Sequence, residues 1–313
     1  MQNEEFTSFV LSQRQRIEEA LNKHLPVSAA PGAERLNEAL SYAVFPGGKR
    51  LRPHMTLAAA RLGGVTDHQA LLLACAIEYI HTSSLVLDDL PSMDDADVRR
   101  NKPALHIEFG EGMAILTGVA LLNQAYVLFA SAASGTDNNG LQRLIHEAGD
   151  CIGSGGMIAG QATELALSGV PADAVVLVSR ELKTRGLMRL MMVAGGVLAD
   201  ADHCDVDALG TFGECLGSAF QIYDDLGDML GDRQLTGKSV GQDLRHLRPT
   251  AVRNISSEES RQLASEVIES GKTALARFGD REEAALLRSA ADFIVAAMGL
   301  GVATSDGAPG PHP

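Results

Sequence analysis

The sequence has no tryptophan, and aromatic residues make up only 4% of its 313 positions. Hydrophobic residues nevertheless reach 45%, enough to bury a large core. Their bulk is Ala, Leu, Val, Gly and Met, which suits closely packed helices. The four cysteines are widely spaced and form no C-x-x-C pair, so we expect buried thiols that stay reduced in a cytoplasmic protein.

The N-terminus also lacks the marks of a targeting segment. M-Q-N-E-E-F has neither a basic region nor an apolar region, so we expect no signal peptide. No run of eighteen apolar residues is free of charge, so we expect no transmembrane helix and no stable membrane insertion. The net charge of −14 argues against a nucleic-acid or anionic membrane partner. A phosphate ligand remains compatible, because the basic residues are locally clustered.

Helical spacing of apolar residues dominates the chain, and no segment alternates with a period of two. We therefore predict an all-α fold in one domain, residues 1–303, followed by a disordered Gly/Pro-rich tail, residues 304–313. The helix over 67–90, with Asp67 as its N-cap, is apolar almost all round and should be central. The predicted helices are 4–24, 33–45, 54–63, 67–90, 104–133, 139–168, 172–199, 205–231, 257–278 and 281–300.

Five carboxylates and two arginines follow that central helix, in D-D-L-P-S-M-D-D-A-D-V-R-R from Asp88 to Arg100. On a straight helix Asp94 would lie about 240° around the axis from Asp88. Pro91 should break the helix and let the two meet. Asp88, Asp89 and Asp94, with Asp95 nearby, would repel one another without a cation. The alternative is a solvated acidic loop; an EF-hand loop is excluded because its glycine and glutamate positions do not match.

A second acidic cluster, Asp224, Asp225 and Asp228, follows another apolar run. Asp224 and Asp228 are four residues apart, and Gln221 precedes Asp224 by three, so they share one helix face. The alternative is a helix end in water. Two carboxylate clusters at the mouths of apolar helices instead suggest one shared Mg²⁺ site for a diphosphate with an apolar tail.

Basic residues stand near both glycine-rich and acidic motifs. Lys49, Arg50 and Arg52 follow two glycines, and Arg99 and Arg100 follow the first acidic cluster. Each could be ordinary surface charge, or together they could bind a diphosphate, for which arginine offers paired donors. The weaker candidates of the same kind are Lys183, Arg185 and Lys238.

The central helix carries one further candidate for a metal site. Glu78 and His81 form an E-x-x-H pair, which would suit a di-iron bundle, but that architecture needs two such pairs. The sequence offers one, so a satisfied core histidine is the favoured interpretation. The glycine-rich segment 153–160 is likewise more typical of close helix crossing than of a dinucleotide loop, because no predicted strand precedes it.

Taken together, the motifs resemble the trans-isoprenyl diphosphate synthases, the polyprenyl synthetase family, of short-chain type. The resemblance covers about residues 36–250, with seven pieces in the family's order. The pieces are G-G-K-R-L-R-P at 47–53, H-T-S-S-L-V-L-D-D-L-P-S-M-D-D-A-D-V-R-R at 81–100, F-G-E at 109–111, G-Q-A-T-E-L at 160–165, K-T at 183–184, F-Q-I-Y-D-D-L-G-D at 220–228 and G-K-S-V-G-Q-D at 237–243.

The resemblance implies an all-α bundle with a deep central cavity, normally a homodimer, that condenses isopentenyl diphosphate with an allylic diphosphate. It implies Mg²⁺, three ions per active site, held by Asp88, Asp94, Asp224 and Asp228. Asp89 and Asp225 would support these ligands. The implied allylic-site residues are Arg99, Lys183, Gln221 and Lys238. The implied isopentenyl-site residues are Lys49, Arg52, His81 and Arg100. Thr184 would help to stabilise the carbocation.

The chain departs from the family's usual residues at several positions. Val119 stands in place of an aspartate, Glu164 in place of another, and Arg185 in place of a small residue. Arg248 replaces a lysine, and Ala251-Val252 replace Tyr-Pro. The expected metal ligands are intact, so we still expect activity.

The residues one turn before Asp88 should set the product length. Ser83 and Ser84 lie where the growing tail must pass, and Ile80 lies one turn deeper as part of the floor. Because Ser83 is small, where short-chain bacterial relatives that stop at fifteen carbons typically have an aromatic residue, we expect geranylgeranyl diphosphate, with farnesyl diphosphate as the alternative.

Two rival functions use the same fold. A terpene cyclase would carry a different metal motif on the second helix, one with asparagine, serine and glutamate. A non-catalytic subunit of a heteromeric synthase would usually lose its acidic motifs, and this chain has both. Turnover by the purified chain alone would distinguish a synthase from a non-catalytic subunit.

Overall fold

The computed structural model describes residues 4–45, 48–136, 138–166, 174–230 and 256–299. Within these ranges the chain is helical, with one short antiparallel hairpin, so the predicted all-α class is confirmed. The elements are α1 (Glu4–Lys23), α2 (Glu34–Val44), α3 (Leu51–Leu62), α4 (Asp67–Asp88), β1 (Val98–Arg99), β2 (Lys102–Pro103), α5 (Leu105–Phe109), α6 (Glu111–Ala132), α7 (Asn138–Ile152), α8 (Met157–Ala166), α9 (Ala174–Leu198), α10 (His203–Leu230), α11 (Ser257–Ala274), a 3₁₀ turn (Leu275–Phe278) and α12 (Glu282–Gly299). The tail 304–313 lies outside the described residues.

Helix α4 lies at the centre of the bundle, as its apolar sequence predicted. It packs against α6 on one side and α3 on another; α9 packs against both α3 and α4, and α10 packs against α9. Its residues from Leu72 to Ile80 are buried without interruption. A helix buried on every side must be apolar on every side, which is why its sequence shows no single hydrophobic stripe.

The N-cap of α4 is Thr66, one residue earlier than expected. The Thr66 hydroxyl accepts a hydrogen bond from the Gln69 backbone N–H, and the Gln69 side chain accepts one from the Thr66 backbone in return. This capping box satisfies two N–H groups that the helix leaves free. Asp67 is instead the first helical residue, where its carboxylate pairs with Arg16 and Arg61.

Two predicted long helices are each divided in two. The helix expected over 104–133 breaks at Gly110, whose φ of +87° is a conformation that other residues rarely adopt. The helix expected over 139–168 breaks at 153–156. There a Cβ on Gly156 would lie 2.1 Å from the Cys151 carbonyl oxygen, so only glycine allows the turn. The glycine-rich segment is thus mainly the α7–α8 turn, and the close helix crossing involves Gly186 of α9 instead, which lies against the same carbonyl.

Helices α4 and α6 are each long and apolar enough, by length and composition, to cross a membrane. The apolar character of α4 is explained by burial inside the bundle, because 72% of its apolar stretch is buried. Only 39% of the apolar stretch of α6 is buried, so this helix presents an apolar face that the described residues do not cover. The expectation of no membrane-spanning segment stays a prediction.

Candidate active site

The first aspartate cluster lies at the C-terminal end of α4. The helix ends at Asp88 with Asp89 as its C-cap, and Pro91 follows in a turn. The turn brings the chain back, so that the Asp94 backbone N–H donates to the Asp88 carbonyl oxygen at 2.8 Å. Asp94 is 8% exposed, and the Asp88 side chain 17%. The broken helix therefore brings together the two residues expected to share a metal.

Asp89 and Arg99 form an ion pair beside this turn. Arg99 lies on β1, and its Nε lies 3.1 and 3.0 Å from the two carboxylate oxygens of Asp89. Burial alone would disfavour the guanidinium charge, but its hydrogen bonds to Asp89 offset this and leave the pKa of Arg99 raised. In this structure Asp89 holds Arg99 in place. Its expected support for Asp88 and Asp94 stays a prediction.

Lys183 connects α9 to the first aspartate cluster. Its Nζ lies 3.3 Å from Asp88 Oδ2 and 3.2 Å from Glu164 Oε2 on α8. Burial would lower the pKa of Lys183, but the carboxylates of Asp88, Glu164 and Asp94 more than offset it, so the pKa is raised. The ammonium is therefore charged and held between Asp88 and Glu164, and its expected role in the allylic site stays a prediction.

Two residues of α8 belong to this site although their sequence motif predicted no role for them. Glu164 stands out in the sequence only as a departure from the family's aspartate, and it forms an ion pair with Lys183. Gln161 places its Nε2 3.8 Å from the Met93 sulfur, while its buried Oε1 has no hydrogen-bond partner among the described residues. The G-Q-A-T-E-L motif was the signal that could have indicated both.

A hydrogen bond between Thr184, the residue after Lys183, and Gln221 joins α9 to α10. The Thr184 hydroxyl donates to Gln221 Oε1 at 3.1 Å. Gln221 lies one turn before Asp224, and α10 continues to Leu230, so the second aspartate cluster lies on the last two turns of this helix. The side chains of Asp224, Asp225 and Asp228 lie outside what the structure describes, as does the whole of Lys238.

A second, basic pocket borders the same end of α4. Arg52 of α3 places its Nη1 3.3 Å from His81 Nε2 of α4, and its buried Nε has no partner among the described residues. Arg100 lies near Gly48, since a Cβ there would be 3.7 Å from its Nε. Lys49 is exposed at the rim. Arg52, His81 and Arg100, three of the four residues expected to bind isopentenyl diphosphate, thus lie close together.

The charges in this pocket act on one another. Burial lowers the pKa of His81 well below its usual value, and the cations Arg52, Arg100, Arg99 and Arg50 lower it further. His81 is therefore neutral at pH 7, with Nε2 free to accept from Arg52. Burial and Arg100 likewise lower the pKa of Arg52. A buried concentration of positive charge is a binding site for a polyanion such as diphosphate.

Replacing His81 with glutamine should reduce the loss of stability at acid pH. A histidine whose pKa is lowered by folding contributes stability that is present above the unfolded pKa, about 6.5, and is lost as pH falls below it. The free energy of unfolding, measured with urea at pH 7.5 and 5.5, should thus fall less in His81→Gln than in the wild type. An equal fall in both proteins would contradict the buried neutral state.

The chain-length residues lie along α4 below the first aspartate cluster. Ser83 is buried, and its hydroxyl donates to the Gly118 carbonyl of α6 at 2.8 Å. Ser84 is half-buried and donates to the His81 carbonyl. Ile80 is fully buried in the core one turn deeper. All three lie on the helix wall that leads inward from Asp88, with Ser83 at the contact with α6.

The donor set suits Mg²⁺, although part of it lies beyond the described residues. Asp88 and Asp94 supply carboxylate oxygens, the ligands that Mg²⁺ prefers. Within the described ranges no group of three His, Cys, Asp or Glu residues is close enough to hold a metal. The second cluster on α10 is expected to supply the remaining carboxylates, and a site shared by both clusters stays a prediction.

Comparison with known proteins supports the family. The polyprenyl synthetase model matches residues 33–280. Geranylgeranyl pyrophosphate synthase of Catharanthus roseus, a chloroplastic protein, is 38% identical over 247 residues, 78% of this chain and 68% of that protein. Geranylgeranyl pyrophosphate synthase 11 of Arabidopsis thaliana is 35% identical over 295 residues, 93% of this chain and 82% of that protein.

Solved structures agree with the sequence relatives. An FPP/GFPP synthase from Zymomonas mobilis superposes with a TM-score of 0.80 at 34% identity, covering 93% of this chain and 98% of that one. A polyprenyl synthase from Caulobacter crescentus, complexed with calcium and isoprenyl diphosphate, superposes with a TM-score of 0.78 at 26% identity, covering 93% and 97%. The chain belongs to the polyprenyl synthetase family of prenyl-transferring enzymes, as its motifs predicted.

Proposed function

We propose that the protein condenses isopentenyl diphosphate with an allylic diphosphate to make geranylgeranyl diphosphate. The observation that carries this proposal is that an acidic region and a basic region lie near the same end of α4. The acidic region around Asp88 and Lys183 suits a metal-bound allylic diphosphate, and the basic pocket around Arg52 and His81 suits a second diphosphate. The relatives named as geranylgeranyl pyrophosphate synthases favour the twenty-carbon product.

We propose Mg²⁺ as the metal, three ions per site, held by Asp88, Asp94, Asp224 and Asp228. When bound, Mg²⁺ would neutralise the negative charge that develops on the departing diphosphate. Lys183 Nζ lies 3.3 Å from Asp88 Oδ2 and would add a fixed positive charge beside the same diphosphate. The Thr184 hydroxyl and the Gln221 amide lie next to it, where their oxygens would face the carbocation.

The apolar wall below the aspartates serves the chemistry as well. A carbocation is quenched by water, so the reacting carbons must be shielded from solvent. Both substrates must also be held in line before the isopentenyl double bond attacks the allylic carbon. The allylic carbon–oxygen bond breaks to leave the carbocation, the isopentenyl double bond then forms the new carbon–carbon bond, and a proton leaves the adduct. We propose that the departing diphosphate accepts this proton.

An assay with three starters would test this proposal. The purified chain would be incubated with isopentenyl diphosphate, Mg²⁺ and either dimethylallyl, geranyl or farnesyl diphosphate, and products sized by mass spectrometry. A twenty-carbon product would support the proposal. A fifteen-carbon end product would favour farnesyl diphosphate synthase instead. No product with any starter would favour a non-catalytic subunit; one relative is named as the large subunit of a heterodimeric synthase.

We further propose that the protein is a homodimer that uses the exposed face of α6. Ile115, Leu116, Val119 and Val127 are each 45–56% exposed, and helical spacing places them within about 120° of one another around the axis. An apolar patch on a helix of this length is typical of a protein interface. Val119, where the family has an aspartate, adds to this patch.

Replacing Leu116 with glutamate should separate the dimer. A charge at the centre of the apolar face would be buried without a partner on association. Light scattering after gel filtration should show a dimer for the wild type and a monomer for Leu116→Glu. The matched control is Leu11→Glu on α1, where an equally apolar residue is 70% exposed and the dimer should persist. A monomeric wild type would contradict the proposal.

A further inference from the structure

A buried arginine lies between two residues expected to bind isopentenyl diphosphate. Arg50 follows Lys49 and precedes Arg52 by two positions, but its side chain has no exposed surface. Its Nε and Nη2 donate to the two carboxylate oxygens of Glu18 on α1 at 2.8 and 3.2 Å. Its Nη1 donates to Glu78 on α4 at 2.6 Å, so Glu78 is engaged by an arginine and is not a partner of the nearby histidine.

The same guanidinium also holds the end of α2. Its Nη2 donates to the Val44 carbonyl oxygen at 2.7 Å. A single planar group thus joins α1, α2 and α4 at the start of α3. Burial alone would disfavour its charge, but the hydrogen bonds and charges of Glu18 and Glu78 more than offset this and leave the pKa of Arg50 raised. The guanidinium is therefore a permanent, buried charge.

The backbone at Arg50 is held in an unfavourable conformation. Its φ is +52°, in the left-handed region that residues with a side chain rarely adopt. His54 Nδ1 lies 2.7 Å from the Arg50 carbonyl oxygen, and His54 Nε2 lies 3.1 Å from the Val10 carbonyl of α1. Such a conformation persists only where the surroundings hold it. Here the surroundings are the ion pairs of Arg50 and the contacts of His54.

The turn at Arg50 determines where its two neighbours lie. Lys49 precedes the left-handed residue and Arg52 follows in the first turn of α3, so a change of this backbone would move both relative to each other. Glu78 also acts on the pocket directly, because its charge raises the pKa values of Arg52 and Arg100 against the effect of burial. The buried network and the basic pocket therefore share one carboxylate.

We infer that Arg50, held by Glu18 and Glu78, is a positioning residue for the isopentenyl diphosphate site. It fixes the left-handed turn that carries Lys49 and Arg52, and through Glu18 it makes helix α1 part of substrate binding. This inference rests on the proposed function. It assigns a role to three residues that contact neither substrate. They are Arg50, between the cations expected to bind phosphate, Glu18 on α1 and Glu78 inside α4.

The Arg50→Lys variant tests this role. Lysine keeps the charge but lacks the planar fork that contacts two carboxylates and a carbonyl at once. Because a displacement of binding groups by about 1 Å can cost up to about a hundredfold, the KM for isopentenyl diphosphate should rise by about tenfold or more. The KM for the allylic substrate and kcat should stay within about twofold. Calorimetry with isopentenyl diphosphate alone should show the same loss of affinity.

A milder variant keeps the inference testable if Arg50→Lys does not fold. Glu18→Gln removes one carboxylate at the partly exposed end of the network and keeps Glu78 and every cation. The KM for isopentenyl diphosphate should rise by about threefold or more, as expected for weakening a charged hydrogen bond. The matched control is Arg16→Gln, which removes another ion pair between α1 and α4, at Asp67, far from the pocket. That variant should leave both KM values unchanged.

The outcomes separate this inference from the proposed function. An active wild type together with unchanged KM for isopentenyl diphosphate in both variants would overturn the inference alone. Equal changes in both KM values, or a fall in kcat alone, would indicate a structural role and would also overturn the inference. Tighter binding in Glu18→Gln would indicate that Glu18 acts only as a counter-charge, and it would overturn the inference as well. A wild type that binds isopentenyl diphosphate but forms no product would contradict the proposed function, and the calorimetric comparison would still decide the inference.

Discussion

Replacing Asp88 with asparagine is expected to reduce kcat by about a thousandfold, with little change in folding. Loss of a single electrostatic contact to a developing anion costs about a hundredfold to a thousandfold. Asp88 is expected to make two such contributions. It would ligate Mg²⁺, and its Oδ2 lies 3.3 Å from Lys183 Nζ, so its carboxylate also holds the ammonium in place. Asparagine keeps the shape of the side chain and removes the charge.

The rate should be measured with saturating substrates across a range of Mg²⁺ concentrations. We expect the Mg²⁺ requirement of Asp88→Asn to shift upward as kcat falls. The matched control is Asp95→Asn in the same turn. Asp95 is exposed and has a φ of +48°, a conformation that asparagine also tolerates, so this variant removes one negative charge without strain. Equal losses in the two variants would contradict a specific role for Asp88.

Replacing Ser83 with phenylalanine is expected to shorten the main product from twenty to fifteen carbons. Ser83 lies five residues before Asp88, about 7.5 Å along the helix axis. Its hydroxyl is 2.8 Å from the Gly118 carbonyl, and a Cβ on Gly118 would already touch Leu87, so α6 leaves no room for a ring on that side. We expect the phenyl group then to turn toward the predicted path of the growing tail.

The measurement is the ratio of fifteen-carbon to twenty-carbon product, with dimethylallyl diphosphate as the starter. The ratio is independent of the total rate, so a partly impaired enzyme still gives an answer. Ser83→Ala is the control, because it removes the hydrogen bond to Gly118 without adding volume, and it should leave the product at twenty carbons. An unchanged ratio in Ser83→Phe would show that the tail passes elsewhere.

The sequence predicted the helices well because helical periodicity and capping are local. It misjudged where two of them break, since Gly110 takes a φ of +87° and the 153–156 turn leaves no room for a Cβ on Gly156, features that appear only in three dimensions. It anticipated that Pro91 would let Asp94 approach Asp88, and the hydrogen bond between their backbones fulfils that geometry. The predicted family is confirmed as well, because seven short motifs in order are specific even when each is weak alone.

The sequence could not reveal which charges face one another across the bundle. It did not indicate that the fold pairs Asp89 with Arg99 from the hairpin, while the role of Asp89 near the metal stays a prediction. It set Glu78 beside His81 by helical spacing, whereas the fold pairs Glu78 with Arg50. It indicated no role for Glu164, which the fold places against Lys183.

Composition and motif order by themselves determined the helical class, the family and the chemistry expected of the aspartates. The tertiary structure decided the partners of each buried charge. A charge removed from water requires a partner from whichever helix lies nearest, and the helices that meet here are separated by tens of residues in the chain.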